Sequence, residues 1–374
     1  MAAEFVQPFQ EAIANATEQL RAEAARGRKV IGYFCTYTPV EVIHAAGFLP
    51  VRILGGEGQI DRALALVPNF ICPPLLRSLD RALAGGYDFL SGIVQGYTCD
   101  VACGLVNVWE ENIGGQLFHS IPLPYGDGPE ARRYFRSLMD ELSEKLVDLG
   151  GVVTEESLSA SLDLYGSIRH LMLDFYEKRY DGKLPLTAGE FHQVIQAGHV
   201  IPPERYLDML KELSGRIEAA APPQAPPGIP LMVSGSLIEE PRILEILEEA
   251  GGRVAADDLC TGLRNFHPPA GAGGDAMARL IDRYQNRFPC PSRARAVQRI
   301  PLLIDLIRRT RSRGVVFFLQ KFCSPHLADI PLLREALRKE GIPALVVEME
   351  ATGMMEGQLQ TRLQGFLEML RSYP

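Results

Sequence analysis

Gly314-Val315-Val316-Phe317-Phe318-Leu319-Gln320-Lys321-Phe322-Cys323-Ser324-Pro325-His326 is the stretch that decides the fold. A glycine opens it, five apolar residues follow, and a thiol stands where the run breaks into turn residues. An unbroken apolar run of about 4–8 residues bounded by Gly and Pro predicts a strand buried on both faces, as in parallel sheets. With the strand over 315–321, Cys323 falls just past its carboxyl end, the edge at which open α/β sheets bind ligands.

Outward from this stretch the same pattern repeats. In the second half, strands are expected over 231–236, 253–258 and 344–349, with helices over 240–250, 276–310 (broken at Pro289 and Pro291), 331–340 and 358–371. In the first half, strands are expected over 29–35, 49–54, 89–97 and 116–123, with helices over 5–27, 38–46, 75–84 and 100–111. Thr38-Pro39-Val40-Glu41 reads as a capped helix start with Pro at the first position. Alternating strands and helices predict an α/β protein with two four-stranded parallel sheets and crossover helices. The expected division is a helical segment 1–28, an α/β domain 29–128, a helical region 129–218, a proline-rich linker 219–230 and a second α/β domain 231–374. In both halves a cysteine directly follows the third strand: Cys99 and Cys323. Two sheets facing each other across their carboxyl edges would bring these thiols together.

A chain of 374 residues exceeds one ordinary core. Its net charge of −8 argues against nucleic acid as the main partner. No apolar run is long enough to span a membrane, and the N-terminus lacks a basic segment followed by an apolar one, so a cytoplasmic location is expected. Seven cysteines, an odd number, with no export signal argue against disulfides. Metal ligation, catalysis and plain burial stay open.

Cys72, Cys99 and Cys323 each lie at a helix start or a strand end. A helix N-terminus favours the thiolate, the metal-binding form, and is expected to lower the thiol pKa. Three thiolates suit a [4Fe–4S] cluster with one open iron or a zinc site, while buried thiols explain the same residues. Cys103 is expected in the core, and Cys35, Cys260 and Cys290 in supporting or structural loops. No phosphate-binding P-loop or serine-nucleophile motif is present. Gly55-Gly56-Glu57-Gly58 is too short for a dinucleotide fingerprint. Asp257-Asp258 fits either a polar site or a cap, and His326 either a hydrogen-bond donor to a cluster or substrate or a solvated loop residue. Arg77, Arg264 and Arg362 fit either an anion site or salt bridges.

Gly32-Tyr-Phe-Cys-Thr-Tyr-Thr-Pro-Val-Glu41 and Ala45-Ala-Gly-Phe-Leu-Pro-Val-Arg52 resemble the opening of the 2-hydroxyacyl-CoA dehydratase and benzoyl-CoA reductase family. Cys72-(x)4-Arg77-Ser78, Tyr87-Asp-Phe-Leu, Thr98-Cys99-Asp100, Gly235-Ser236, Asp257-Asp258-Leu-Cys260, Lys321-Phe-Cys323-Ser-Pro-His326 and Gly357-Gln358-(x)2-Thr361-Arg362 extend the resemblance in order along the chain. It implies two Rossmann-like domains behind an N-terminal helical part. It also implies a [4Fe–4S] cluster held between them by Cys72, Cys99 and Cys323, with the fourth iron open. The implied partners are an acyl-CoA substrate, a homologous subunit and a separate ATP-dependent iron–sulfur activator that injects one electron. The thioester then becomes a ketyl radical anion. Dehydratases of the family expel the hydroxyl, and the reductases reduce an aromatic ring. The physics agrees: polar elimination of a hydroxyl beside a carbonyl is mismatched, and an added electron reverses the carbonyl's polarity. The resemblance places Thr36 and Thr38 in the segment where family members set a hydroxyl near the substrate, and His326, three residues beyond Cys323, joins them as a candidate catalytic residue. Arg52 stands where an acid would help bind the substrate hydroxyl, which leaves a catalytic subunit and an electron-relay subunit open; a non-catalytic scaffold and a zinc-binding or cluster-free relative of the same fold are separate alternatives.

Overall fold

The computed structural model describes residues 2–372 apart from 57, 127, 221–226, 269, 270, 272, 294, 295 and 351–355. In the first half, α1 (Ala2–Ala14) and α2 (Ala16–Ala25) precede β1 (Val30–Tyr33), α3 (Val40–Ala45), β2 (Leu49–Arg52), α4 (Pro73–Leu83), β3 (Leu90–Tyr97), α5 (Asp100–Asn112) and β4 (Leu117–Pro122). Four helices follow: α6 (Pro129–Asp148), α7 (Glu155–Tyr180), α8 (Ala188–Val200) and α9 (Pro203–Ala219). The second half holds β5 (Ile229–Gly235), α10 (Arg242–Glu249), β6 (Gly252–Asp258), α11 (Ala276–Gln285), α12 (Arg299–Thr310), β7 (Gly314–Gln320), α13 (Ser324–Lys339), β8 (Ala344–Met349) and α14 (Glu356–Ser372).

Both sheets are parallel and share one order, β2-β1-β3-β4 and β6-β5-β7-β8. The repeat read from the sequence is therefore a repeat of topology, and the class is α/β as expected. Strand β7 shows why its apolar run is continuous. Val315, Phe317 and Leu319 enter one core with α1, α7, α8 and α9, while Val316 and Phe318 enter another with α10 and α14. Every residue of the strand is buried. A period-two side-chain alternation between two apolar layers leaves no polar face to signal.

The central helices serve both sheets. Helix α7 contributes Leu158 and Leu162 to the core that holds Ile31 and Val94 of the first sheet, and Ile168, Met172 and Phe175 to the core that holds Val315 and Phe317 of the second. The expected linker 219–230 begins on the last residue of α9 and ends in β5, and its residues 221–226 lie outside the described residues.

Three expectations are corrected. The single helix over 5–27 is two, because Asn15 turns its amide back onto the Glu11 carbonyl at 2.8 Å and leaves helical geometry. Helix α13 starts at Ser324 rather than 331: Pro325 fills its first turn, and Pro331 sits inside it. Thr38 does not cap α3. Pro39 holds the cap position, and the Thr38 hydroxyl bonds the sheet instead, accepting from Gly96 N at 3.0 Å and donating to Val94 O at 3.4 Å.

That Thr38 contact needs Gly96. A Cβ there would lie 2.7 Å from the Tyr37 carbonyl carbon, so only glycine lets the β1–α3 loop lie against the end of β3. Gly96→Ala is expected to destabilise the protein by about 1–3 kcal/mol in urea titrations. Gly104→Ala, on α5 with open space around it, is expected to stabilise by up to about 1 kcal/mol.

Candidate metal centre

The carboxyl edges of the two sheets face each other. Past β2, the N–H groups of Gly55 and Gly56 donate to the two carboxylate oxygens of Glu239 at 3.0 and 2.8 Å, across from β5. The glycine-rich loop thus grips a carboxylate of the other half rather than a nucleotide. From the end of β2, Arg52 donates to Phe34 O at 3.2 Å and to Cys260 O, just past β6, at 2.9 Å. Buried Arg52 is therefore a brace between the halves.

The three thiols singled out by the sequence meet at this edge, each at a helix start. Cys72, Cys99 and Cys323 occupy the cap positions of α4, α5 and α13. At Cys99 the sulfur accepts the backbone N–H of Ala102, three residues on, at 3.4 Å, whereas the side chains of Cys72 and Cys323 make no such cap bond. A helix start leaves its first N–H groups unpaired, and at Cys99 a sulfur takes the place of the usual side-chain oxygen. Cys72 and Cys99 pack against one apolar core, and Cys323 is near enough to both for the three to influence one another's ionisation. At Cys323 the backbone is held in an uncommon state. Phe322, before it, has φ of 66°, the left-handed region, which turns the chain out of β7 into α13.

The expected fall in thiol pKa does not occur. Burial pushes Cys72 up to about 12 and raises Cys99 and Cys323, with neighbouring thiols adding to the rise at Cys72 and Cys323 and the backbone N–H groups opposing it. Desolvation outweighs the helix ends. Without a metal the three are thiols, and any metal bound there would displace their protons.

Among the described residues no group of three or more His, Cys, Asp and Glu side chains is gathered tightly enough for one metal ion. A tetrahedral zinc would hold its sulfurs about 3.8 Å apart. Three thiols at three separate helix starts are the donor set of a thiolate-bound cluster.

The other thiols lie around the same edge. Cys35 Sγ accepts Thr98 Oγ1 at 3.1 Å and Tyr37 N at 3.5 Å. Cys260 Sγ accepts Arg264 Nη1 at 3.3 Å. Cys290 and Cys103 are buried, Cys103 as expected. Thr36 and Thr38 border a cavity behind the Cys35 loop. His326 is buried and held neutral by burial and by Arg264 and Arg299.

Asp257 and Asp258 hold the fold. Asp257 accepts Leu263 N at 2.9 Å and Tyr176 OH at 2.7 Å, and Asp258 pairs with Arg264 and Arg299, both at 2.5 Å. Arg77 pairs with Glu240 at 3.3 Å, and Arg362 donates to Val346 O at 2.7 Å. Sequence reading missed Glu239 and the brace made by Arg52. Only the Gly55-Gly56 pair signalled Glu239, as exposed N–H groups in need of an acceptor.

Two parallel sheets joined at their carboxyl edges, with three thiols at helix starts between them, define a two-domain α/β protein built around a candidate cluster site. Residues 35–370 match the family described as 2-hydroxyglutaryl-CoA dehydratase, D-component, and the chain belongs to it. It is 28% identical over 361 residues to the beta subunit of lactoyl-CoA dehydratase from Anaerotignum propionicum, covering 95% of each chain. It is 27% identical over 346 residues to a benzoyl-CoA reductase subunit from Thauera aromatica, covering 89% of each. It is 25% identical over 379 residues to the beta subunit of (R)-2-hydroxyglutaryl-CoA dehydratase from Acidaminococcus fermentans, covering 98% of each. No helix among the described residues is long and apolar enough to cross a membrane.

Arg52→Ala would leave the Phe34 and Cys260 carbonyls without their donor. The expected cost is about 2–5 kcal/mol of unfolding free energy in urea titrations. Arg52→Lys, which cannot span both carbonyls, is expected to recover only part of it.

Proposed function

We propose that this chain is the iron–sulfur subunit of a 2-hydroxyacyl-CoA dehydratase-type enzyme, with Cys72, Cys99 and Cys323 as the ligands of a [4Fe–4S] cluster. The observation that supports it most is that all three thiols hold the cap position of a helix where the carboxyl edges of the two sheets meet. When bound, such a cluster supplies one-electron chemistry and a Lewis-acidic iron at its open corner.

The chain's own residues would do the rest. The N–H group of Ala102 meets Cys99 Sγ at 3.4 Å and would favour its thiolate once the proton is displaced, and Cys72 and Cys323 stand at the same kind of helix start. The positive ends of α4, α5 and α13 lower the cost of gathered negative charge. Arg52 and Glu239 fix the separation of the two halves and hence of the sulfurs. Thr36 and Thr38, at the wall of the adjoining cavity, lie where an acyl group would be oriented.

In this reading the substrate is an acyl-CoA with a hydroxyl near the thioester. One electron, delivered by a separate ATP-dependent iron–sulfur activator, turns the carbonyl into a ketyl radical anion that expels hydroxide. A proton and the electron are then given up. The loss of water is thus redox-neutral. The enzyme is completed by a homologous subunit, and the complex works in the cytoplasm. The likeness to a subunit of benzoyl-CoA reductase favours a second reading, a subunit of a ring-reducing enzyme. Buried Arg52, committed to two carbonyls, fits a third, an electron-relay or scaffold subunit.

Purified without oxygen, the chain is expected to carry about four iron and four sulfide. Cys323→Ala is expected to lose most of both. Iron content unchanged by that substitution would rule out this ligand set. Adding activator, ATP and a 2-hydroxyacyl-CoA to the chain alone and then with a partner subunit separates catalyst from relay.

A further inference from the structure

Behind the Cys35 loop lies a cavity of about 60 Å³, bounded by Thr36, Thr38, His199 and three arginines: Arg169, Arg283 and Arg287. All three arginines are buried. One carboxylate answers them. Glu41 contacts Arg169, lies 3.6 Å from Arg283 Nε and accepts Tyr284 OH at 2.8 Å. Arg287 donates only to backbone, the Thr36 and Arg264 carbonyls. Three guanidiniums against one carboxylate leave the wall two positive charges in excess.

The hydrogen bonding is also incomplete. Arg169 Nη1, Arg283 Nε and Arg283 Nη1 have no hydrogen-bond partner, although those side chains are only 4% and 2% exposed. His199 adds no anion: burial and Arg52 keep it neutral. The neighbouring network is different. There Asp258 and Asp329 answer Arg264 and Arg299, two against two. Buried charge without a partner and buried donors without acceptors are both strongly unfavourable. An arrangement with both, set around empty space, is a site made for an anion. Repulsion among the arginines agrees, since burial and the two neighbouring guanidiniums hold the Arg283 pKa well below its ordinary value.

We propose that this cavity binds a small carboxylate, held by Arg169 and Arg283 with Thr36 and Thr38 at its rim. Planar guanidinium forks match carboxylate geometry, and the unpaired N–H groups supply the donors. The carboxylate is either a free acid or the far end of a dicarboxylic acyl thioester. The second source rests on the function proposed above; the site itself does not.

The test is thermal unfolding of the full-length chain, purified without oxygen, with added acetate, glutarate, inorganic phosphate or sodium chloride at matched ionic strength. Acetate and glutarate are expected to raise the unfolding temperature saturably, on the order of 2–4 °C, and chloride to leave it unchanged. Arg283→Gln removes one of the three guanidiniums set against Glu41 and keeps an amide able to donate to Asn265 O, which Arg283 Nη2 meets at 2.9 Å. Without added anion it is expected to unfold at the same temperature as the parent or higher, and the carboxylate response is expected to disappear. Arg242→Gln, at an exposed ion pair far from the cavity, is expected to keep that response. Glutaryl-CoA active at tenfold lower concentration than glutarate, with butyryl-CoA inactive, assigns the acyl source; equal potency of glutaryl-CoA and glutarate assigns the free acid. No saturable rise with either carboxylate, a rise with phosphate alone, or an unchanged rise in Arg283→Gln would overturn the proposal. The readout needs neither iron nor turnover, so it stands or falls apart from the dehydratase assignment.

Discussion

A helix that begins where a parallel strand ends leaves its first N–H groups without partners, and something must accept them. At three such starts in this chain the cap position is a cysteine, and at one of them, Cys99, its sulfur accepts an N–H. The choice is poor for stability in isolation, because a half-buried thiol is a weak acceptor and oxygen-bearing caps are stronger. It is sound for a thiolate. The positive helix starts that do little for a neutral sulfur favour an anionic one. The fold has set three anion-ready sulfurs at the edge where α/β sheets bind ligands.

The rest of the molecule keeps those sulfurs in register. Two of them belong to the first sheet and one to the second, so their spacing depends on how the halves are joined. Glu239 across Gly55 and Gly56, and Arg52 across Phe34 and Cys260, tie the edges directly. Helix α7, with residues in the cores of both sheets, ties them from behind. These braces are buried and polar, so they specify one geometry rather than a loose apolar contact. Removing one partner costs far more than the pair contributes.

Much of this was legible in the sequence. The strands were visible because buried parallel strands are continuous apolar runs, and 314–320 is such a run. The repeat showed in the matched positions of Cys99 and Cys323. Helix boundaries were less visible. Asn15 breaks a helical pattern through its own side chain, and Thr38 turns to the sheet because Gly96 offers an N–H there. The thiol pKa values were read in the wrong direction, since a helix start is local and visible while burial is made by distant residues. Glu239 lies 184 residues from Gly55, and Glu41 lies 128 from Arg169. No local pattern announces a partner at that distance.

The central claim is that three cysteines of this chain bind a cluster that keeps one corner free of thiolate. Mössbauer spectroscopy of the anaerobically prepared chain, grown on isotopically enriched iron, addresses it directly. The account predicts iron sites in a three-to-one ratio, the minority site changing its parameters when a small ligand such as cyanide is added. Four equivalent sites insensitive to added ligand, or iron absent even after reconstitution, would contradict it.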